Sequence, residues 1–458
     1  MPATPTQITP KPDDPVSFVV VCRPKSGATL NDFREKMNAE NVSQYLPDKE
    51  TKQEVIRSLR GYGFTVYEVE GSAIVSASGT VSQFEQVFRT TLTGYRHSPD
   101  PSQGNVHQEF CAISENARAA DASVVPGALL VTVSRPPVMF SAFPPGNPSF
   151  HLRHAGDIAV ATKASLVHRK KLMSGDRATG GGVVIAMVDT GFVNTHRFYE
   201  GNAYDLRPVA IPGDARPPTD DPQGHGTRHA SDIFACAPDA TVYGIRMGEA
   251  SAALSYAAAL GATVVSCSWG NDLEDEVTLP DDQIGLLTTV YDLVSRGITL
   301  VFSAGNNKSI SFPAMMREVI AVGGVAVDKK EVNTAYSKGS SFTSPIFPGR
   351  SVPDLCGVAS KMAMPTSIED DPSLWEIDDG MTSAAAPQVA GVVALLLQKD
   401  STLTPAGIRD VLRDSARDVT SGSTSTRDTA EVGWDQATGS GLVNALDAWN
   451  RVVDRNGE

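Results

Sequence analysis

Four short stretches of this 458-residue chain carry side chains that could act together. Asp189-Thr190-Gly191 puts a carboxylate after an apolar run, and Gly224-His225-Gly226-Thr227 sets an imidazole between small residues. Ser303-Ala304-Gly305-Asn306 offers a side-chain amide, and Thr382-Ser383 a hydroxyl ahead of Ala384-Ala385-Ala386-Pro387. A serine hydroxyl is a poor nucleophile near neutral pH. It needs a histidine to take its proton and a carboxylate to hold that imidazole in one tautomer. An amide N–H can meet the oxyanion as it forms. Ser383 precedes the apolar run 389–397, so it is expected in the first turn of a buried helix, near free backbone N–H groups and the positive end of the dipole. Pro387 is tolerable in such a first turn, where a missing N–H costs little. For this stretch alone an ordinary capping serine on a core helix is the alternative; the other three stretches, in order, argue against it.

The elements needed to position these groups can be read from the pattern. Beyond residue 158, short apolar runs at 183–188, 241–245, 263–266, 298–302 and 319–322 alternate with helical spacing at 250–260, 283–296, 387–399 and 405–414. That alternation predicts a mainly parallel, doubly wound α/β sheet, with function at the carboxyl ends of its strands. Residues 16–135 read differently. A β-branched run at 16–22, helical spacing at 52–59, a strand pair at 64–69 and 72–77, and the stripe Val81, Phe84, Val87, Phe88 make a small α+β unit. Residues 1–15 are expected to be a disordered tail, 136–157 a Pro/Gly-rich linker, and 158–458 the larger domain. His168-Arg169-Lys170-Lys171 is expected to be helical within it.

Composition narrows the classes. The chain is 41% hydrophobic with a net charge of −14, and no Lys/Arg block stands out, so nucleic acid is not an expected partner. No uninterrupted apolar run reaches the ~18 residues that span a bilayer. Five scattered cysteines without a CxxC are expected to be buried reduced thiols. The N-terminus lacks a signal peptide's apolar core, so a cytoplasmic chain, or one exported without a recognisable signal, is expected.

The order Asp…His…Ser, with Ala237-Pro238-Asp239, Ser268-Trp269-Gly270, Phe312-Pro313-Ala314 and Val319-Ile320-Ala321-Val322-Gly323, resembles the subtilase catalytic domain over residues 158–450. The segment with Gly63-Phe64-Thr65-Val66, Ser78-Gly79-Thr80-Val81, Phe88-Arg89-Thr90-Thr91-Leu92 and Tyr95 resembles the ferredoxin-like activation pro-domain of sedolisin (kumamolisin-type) peptidases. The resemblance implies a serine endopeptidase acting on polypeptides and made as a precursor inhibited by its own N-terminal domain. In it Asp189 orients, His225 is general base and acid, Ser383 attacks, and Asn306 with the Ser383 backbone N–H binds the oxyanion. Sedolisins pair Glu and Asp instead, so the two parts match different branches. A peptide-binding pseudoprotease and a processing peptidase dedicated to one partner are the alternatives.

Three departures from the subtilase pattern stand out. Met381 holds the place of the usual Gly before Thr-Ser. Arg228 and His229 follow Gly226-Thr227 and are expected to face solvent. The calcium-loop insertion that precedes the Val-Ala-Pro segment of subtilisins is absent. By the same resemblance Ser268, Trp269 and Gly270 pair with the substrate main chain, and Ser303, Ala304 and Gly305 form the facing wall. Asn307 and Ser311 lie on the pocket floor. No wall residue is charged, and the acidic run Asp272, Glu274, Asp275, Glu276 reaches only the rim, which favours apolar or broad specificity. The stretches around Arg417-Asp418-Val419 and Gly433-Trp434-Asp435 resemble the sedolisin calcium site. Ca²⁺ would be held by Asp418 and Asp435 with carbonyls of Val419, Glu431 and Gly433; a capping Asp and a turn is the other reading.

Overall fold

A computed structural model describes residues 6–97, 108–134, 138–139, 152, 156–273, 276–328, 333–366, 373 and 375–454. Most of the 136–157 linker, and Glu274 and Asp275 of the acidic run, lie outside these residues.

The larger domain is built on an eight-stranded sheet. Its strands run in the order Leu206–Ala210, Thr241–Arg246, Val184–Asp189, Val264–Cys267, Thr299–Ser303, Ile320–Val327 and Asn333–Ala335, with Leu355–Val358 also paired to Ile320–Val327. Every pairing is parallel except that of Asn333–Ala335. The strands are nearly continuous in Val, Ile and Ala because helices cover both faces, the pattern of a parallel sheet. On one face lie His225–Cys236 and Met381–Lys399; on the other, Ala250–Ala259 and Ile284–Ser295. Where the first two meet, a Cβ on Gly391 would fall 2.8 Å from Cys236 Cβ and 2.8 Å from the Ile233 carbonyl. The missing side chain lets the axes close up, which brings the N-termini of both helices to one end of the sheet. Val389, Val392, Val393, Leu395 and Leu396 are wholly buried, each worth roughly 1.5–3 kcal/mol. The Met381–Lys399 helix has the length and hydropathy of a membrane span, but all of that window is buried in this core.

The helix begins six residues earlier than expected, so Pro387 lies inside it rather than in its first turn. A proline there leaves the carbonyl four residues back without its helical N–H. That carbonyl belongs to Ser383, and Ser268 Oγ donates to it at 2.7 Å.

The N-terminal unit runs β-α-β-β-α-β through Pro15–Cys22, Lys49–Gly61, Thr65–Tyr67, Val75–Thr80, Val81–Phe88 and Ala128–Val133. Numbered 1–4 along the chain, its four antiparallel strands lie in the order 2-3-1-4, which is ferredoxin-like. Phe18, Val20 and Cys22 point into its own core beside Phe64, Phe84 and Phe88, with Phe18 meeting those rings edge-on at 4.9–5.5 Å. The alternate residues point the other way. Val21, Phe33, Met37 and Tyr45 share a core with the Ile284–Ser295 helix, and a Cβ on Gly285 would strike Val19 at 2.7 Å. The strand is apolar on both faces because both are buried. Ser76 Oγ donates at 2.6 Å to Glu249, whose carboxylate also caps Ala250–Ala259 by accepting from Ser251 and Ala252 N–H.

Two expectations are corrected here. Thr6–Ile8, read as part of a disordered tail, pairs antiparallel with Leu92–His97, supported by the bond of Lys11 N–H to Asp14. The basic run at 168–171 is not helical: the short helix Ala164–Val167 ends there, with His168 as its C-cap. All five cysteines are free, four of them buried and Cys111 partly so.

Candidate active site

Asp189 is the last residue of the strand Val184–Asp189 and is fully buried. His225 is the first residue of its helix, after Gly224 in the left-handed region at φ +65°. A Cβ on Gly226 would lie 2.2 Å from the Gly191 carbonyl and 3.2 Å from Asp189 Cβ, so only glycine lets the histidine reach the carboxylate. His225 Nδ1 and Asp189 Oδ1 are 2.7 Å apart. Asp189 Oδ1 also accepts from Thr190 N–H at 2.8 Å, so the carboxylate is the acceptor. In its neutral form the imidazole therefore carries its proton on Nδ1, with Nε2 as the acceptor nitrogen. That Nε2 is buried and makes no hydrogen bond among the described residues.

A second layer, not anticipated from the sequence, holds this pair. Thr190 Oγ1 donates to Asp221 at 2.6 Å and accepts from Gly226 N–H at 3.0 Å. Asp221 also accepts from Thr227 N–H at 2.9 Å and Thr227 Oγ1 at 2.6 Å. The available signal was an Asp shortly before a helix start, where carboxylates cap.

Arg228 and His229, expected in solvent, are both buried, because their helix packs against both the sheet and the neighbouring helix Met381–Lys399. Arg228 pairs with Glu376 at 3.1 Å and donates to the Gln223 and Gly224 carbonyls. His229 meets the His225 ring edge-on at 4.5 Å, and its Nδ1 lies 3.2 Å from Asp232. Burial, then the nearby His225 and Arg228 charges, push the His229 imidazole well below the usual histidine range. Burial raises Asp232 well above the usual carboxylate range. The His225 imidazole thus rests against a ring whose neutral form burial favours.

Ser383 is the third residue of its helix and fully buried. Its Oγ donates to the Ser268 carbonyl at 3.3 Å, while Ser268 Oγ donates to the Ser383 carbonyl. Asn306 Oδ1 accepts from Thr382 N–H at 3.3 Å, which fixes the amide so that Nδ2 is its free end. Asn306 Nδ2 is buried and unpartnered among the described residues. Asp189, His225, Asn306 and Ser383 are thus gathered where strands and helices meet at the carboxyl end of the sheet.

Met381 sits in the left-handed region at φ +54°, a conformation costing a residue with a side chain about 1–2 kcal/mol. Its side chain is buried against Tyr336 and Ala359, worth roughly 1.5–3 kcal/mol. Burial offsets the strain, which explains how a methionine stands where glycine is usual.

The strand Trp269–Asp272 is already occupied. Val138–Met139 pairs with it antiparallel, Met139 opposite Trp269 and Val138 opposite Gly270. Trp269 itself is buried, its indole N–H donating to the Val188 carbonyl at 2.8 Å and its ring edge-on to Phe302. Of the facing wall, Ser303, Ala304 and Gly305 are buried and Ser303 Oγ lacks a partner among the described residues. Ser311 Oγ is likewise buried beneath Gly270. Asn307 is exposed, at φ +55° with its N–H on the Lys338 carbonyl, so its side chain is no part of a buried floor.

At the expected calcium position, Asp418 accepts from Gly433 N–H at 2.9 Å. Asp435 accepts from Glu431 N–H at 3.0 Å and Thr438 N–H at 2.8 Å. Donors, rather than carbonyl oxygens, face these carboxylates. As placed, the residues fit a hydrogen-bonded turn and not a cation cage, and no step below runs through a metal.

An Asp-oriented histidine, a serine at a helix start and a free amide donor on a parallel α/β sheet define the serine-nucleophile hydrolase class. The Subtilase family model matches residues 180–441, and the chain belongs to that family. The model for the Pro-kumamolisin activation domain matches residues 10–127. An alkaline protease of Alkalihalobacillus alcalophilus is 29% identical over 289 residues, covering 58% of this chain and 64% of that protein. Subtilisin Savinase of Lederbergia lenta is 29% identical with 90% of its length covered, and serine protease AprX of Bacillus subtilis is 28% identical over 300 residues. The chain thus spans about two thirds or less of several relatives. Fervidolysin of Fervidobacterium pennivorans, described as keratinolytic and related to subtilisin, superposes with a TM-score of 0.57 at 18% identity. That match covers 96% of this chain and 61% of fervidolysin, and is a likeness of fold.

Proposed function

We propose that the chain is a serine endopeptidase held inactive by its own N-terminal region. The observation that carries this reading is a pair of buried atoms without a hydrogen-bond partner among the described residues: His225 Nε2, and Nδ2 of the Asn306 amide that is bonded to Thr382, next in sequence to Ser383. They are the acceptor and the donor that acyl transfer needs.

Ser383 Oγ turns from the Ser268 carbonyl to His225 Nε2 and gives up its proton as it attacks a peptide carbonyl. Asp189 keeps the tautomer and stabilises the resulting imidazolium. Asn306 Nδ2 and the Ser383 backbone N–H take the charge on the carbonyl oxygen. His225 then protonates the departing amine, and water repeats the sequence in reverse roles. The substrate main chain takes the place of Val138–Met139 on Trp269–Asp272, so pairing is sequence-independent. With no charged side chain at Ser303, Ala304, Gly305 or Ser311, apolar or mixed side chains are accepted.

The N-terminal unit docks on the helices opposite the catalytic face, and the segment after it lies in the substrate strand's place. The docked domain keeps that segment at high effective concentration. A cut between residues 136 and 161 releases it. Incubated wild type should convert to a fragment of roughly 300 residues and label with a fluorophosphonate; Ser383→Ala should do neither. Conversion and labelling of the Ser383→Ala chain would refute the assignment, and a wild type that stays intact yet fully active would show that the N-terminal unit does not inhibit.

A further inference from the structure

The far end of the sheet carries a second concentration of chemistry. Arg317 precedes the strand Ile320–Val327 and Asp354 precedes Leu355–Val358, so they lie at the amino ends of parallel strands whose carboxyl ends carry the catalytic groups. There a recess of about 360 Å³ is lined by Arg317, Arg350, Asp354, Arg409, Arg413 and Trp434, among others. One of the four arginines is neutralised: Arg350 grips Asp354 through two bonds of 2.6 and 2.7 Å. Among the described residues, the hydrogen bond Arg317 makes is to the Pro348 carbonyl.

Arg409 and Arg413 lie one turn apart on the helix Pro405–Ser415, and the Nε of each is buried without a hydrogen-bond partner among the described residues. Like charges at this spacing repel. Asp410 and Asp414 follow these arginines on the same helix, and Glu318, partly buried, is another carboxylate in their field, where burial raises its pKa against a backbone hydrogen bond and the pull of Arg409, Arg350 and Arg317. The chain as a whole is acidic, with a net charge of −14, and its other arginines include carboxylate-paired ones such as Arg207 with Asp205 and Arg246 with Asp220. A cluster of guanidinium forks with donors to spare is the geometry that recognises a tetrahedral oxyanion through several bonds at once. Trp434 is half-exposed.

We propose that this recess binds a phosphate-type dianion, held by Arg317, Arg409 and Arg413 with Trp434 as its wall, at a distance from the catalytic groups. Inorganic phosphate is the probe, titrated into the full chain at constant ionic strength with chloride as the balancing ion. The melting temperature should rise and Trp434 emission change along one saturable curve, because a ligand of the folded state stabilises it by mass action. Arg409→Ala/Arg413→Ala should weaken binding at least tenfold, and Trp434→Phe should silence the emission change while keeping the thermal shift. Phenyl phosphate binding more tightly than inorganic phosphate would assign the Trp434 wall to an organic phosphate; equal binding would assign the site to the free anion. Should the double variant not fold, Arg317→Ala, on an exposed residue, carries the same comparison. A phosphate response no larger than that of chloride, or one unchanged in the variants, overturns the proposal. Labelling of Ser383 by fluorophosphonate is a separate readout, so loss of one reading leaves the other standing.

Discussion

The two halves of the catalytic constellation are not in the same state. The base half is assembled: Asp189 and His225 meet at 2.7 Å, braced by Thr190, Asp221 and Thr227. In the nucleophile half, Ser383 Oγ is turned to the Ser268 carbonyl and Asn306 Nδ2 has no partner among the described residues. The difference follows from chemistry. An aspartate–histidine contact is a charge-assisted bond that persists without substrate, whereas an oxyanion donor meets its partner only when the reaction creates one. The contact fixed in advance is the one whose charge, on the Asp189 carboxylate, is present before the reaction starts.

The comparison can be tested from the nucleophile side first. Asn306→Ala should lower kcat by roughly 10²–10³ with little change in KM, the size found for one such donor in subtilisin. A variant affected equally in KM and kcat would show that the amide binds the ground state as well. Ser268→Ala should cost about 0.5–1.5 kcal/mol in denaturant unfolding, since it removes the hydrogen bond that Ser268 Oγ gives to the Ser383 carbonyl, whose helical N–H Pro387 omits. An unchanged midpoint and slope would mean that the helix start relaxes without it.

The base side offers a smaller, pH-dependent effect. His229 is held below its unfolded value of about 6.5, so below that pH the unfolded chain binds the proton that the folded chain refuses. Stability is therefore lost as pH falls below about 6.5. His168, also lowered by burial, adds a term of the same sign. Asp232, raised by burial, acts oppositely at lower pH: its protonated form is favoured in the folded chain, and stability falls as pH rises above the unfolded carboxylate value. His229→Val should flatten the fall in melting temperature between about pH 6.5 and 5. A slope identical to wild type would assign the acid sensitivity elsewhere.

Much of this was legible in advance. Asp189, His225, Asn306 and Ser383 could be named because their neighbours are small residues whose absence of bulk is a requirement, as Gly226 shows. What could not be read is lateral context. Arg228 and His229 follow a histidine on a helix and look solvated by their polarity; they are buried because Met381–Lys399 packs against their helix, and Arg228 finds its partner, Glu376, on a strand distant in sequence. The start of that helix was missed for a related reason. A proline normally marks a boundary, but here Ser268 supplies the bond that Pro387 omits, and no local spacing signals a donor more than 100 residues away.

The strand Pro15–Cys22 has a consequence beyond the proposed inhibition. Its Val19 and Val21 side belongs as much to the enzyme as to its own domain, so separation turns an internal surface into a wet one. A freed N-terminal fragment would present that apolar strip together with Phe33, Met37 and Tyr45, the kind of patch that drives self-association or recapture. Activation then has a direction in time only if the fragment is destroyed. The fate of the discarded piece, more than the cut itself, would set how long the enzyme stays on.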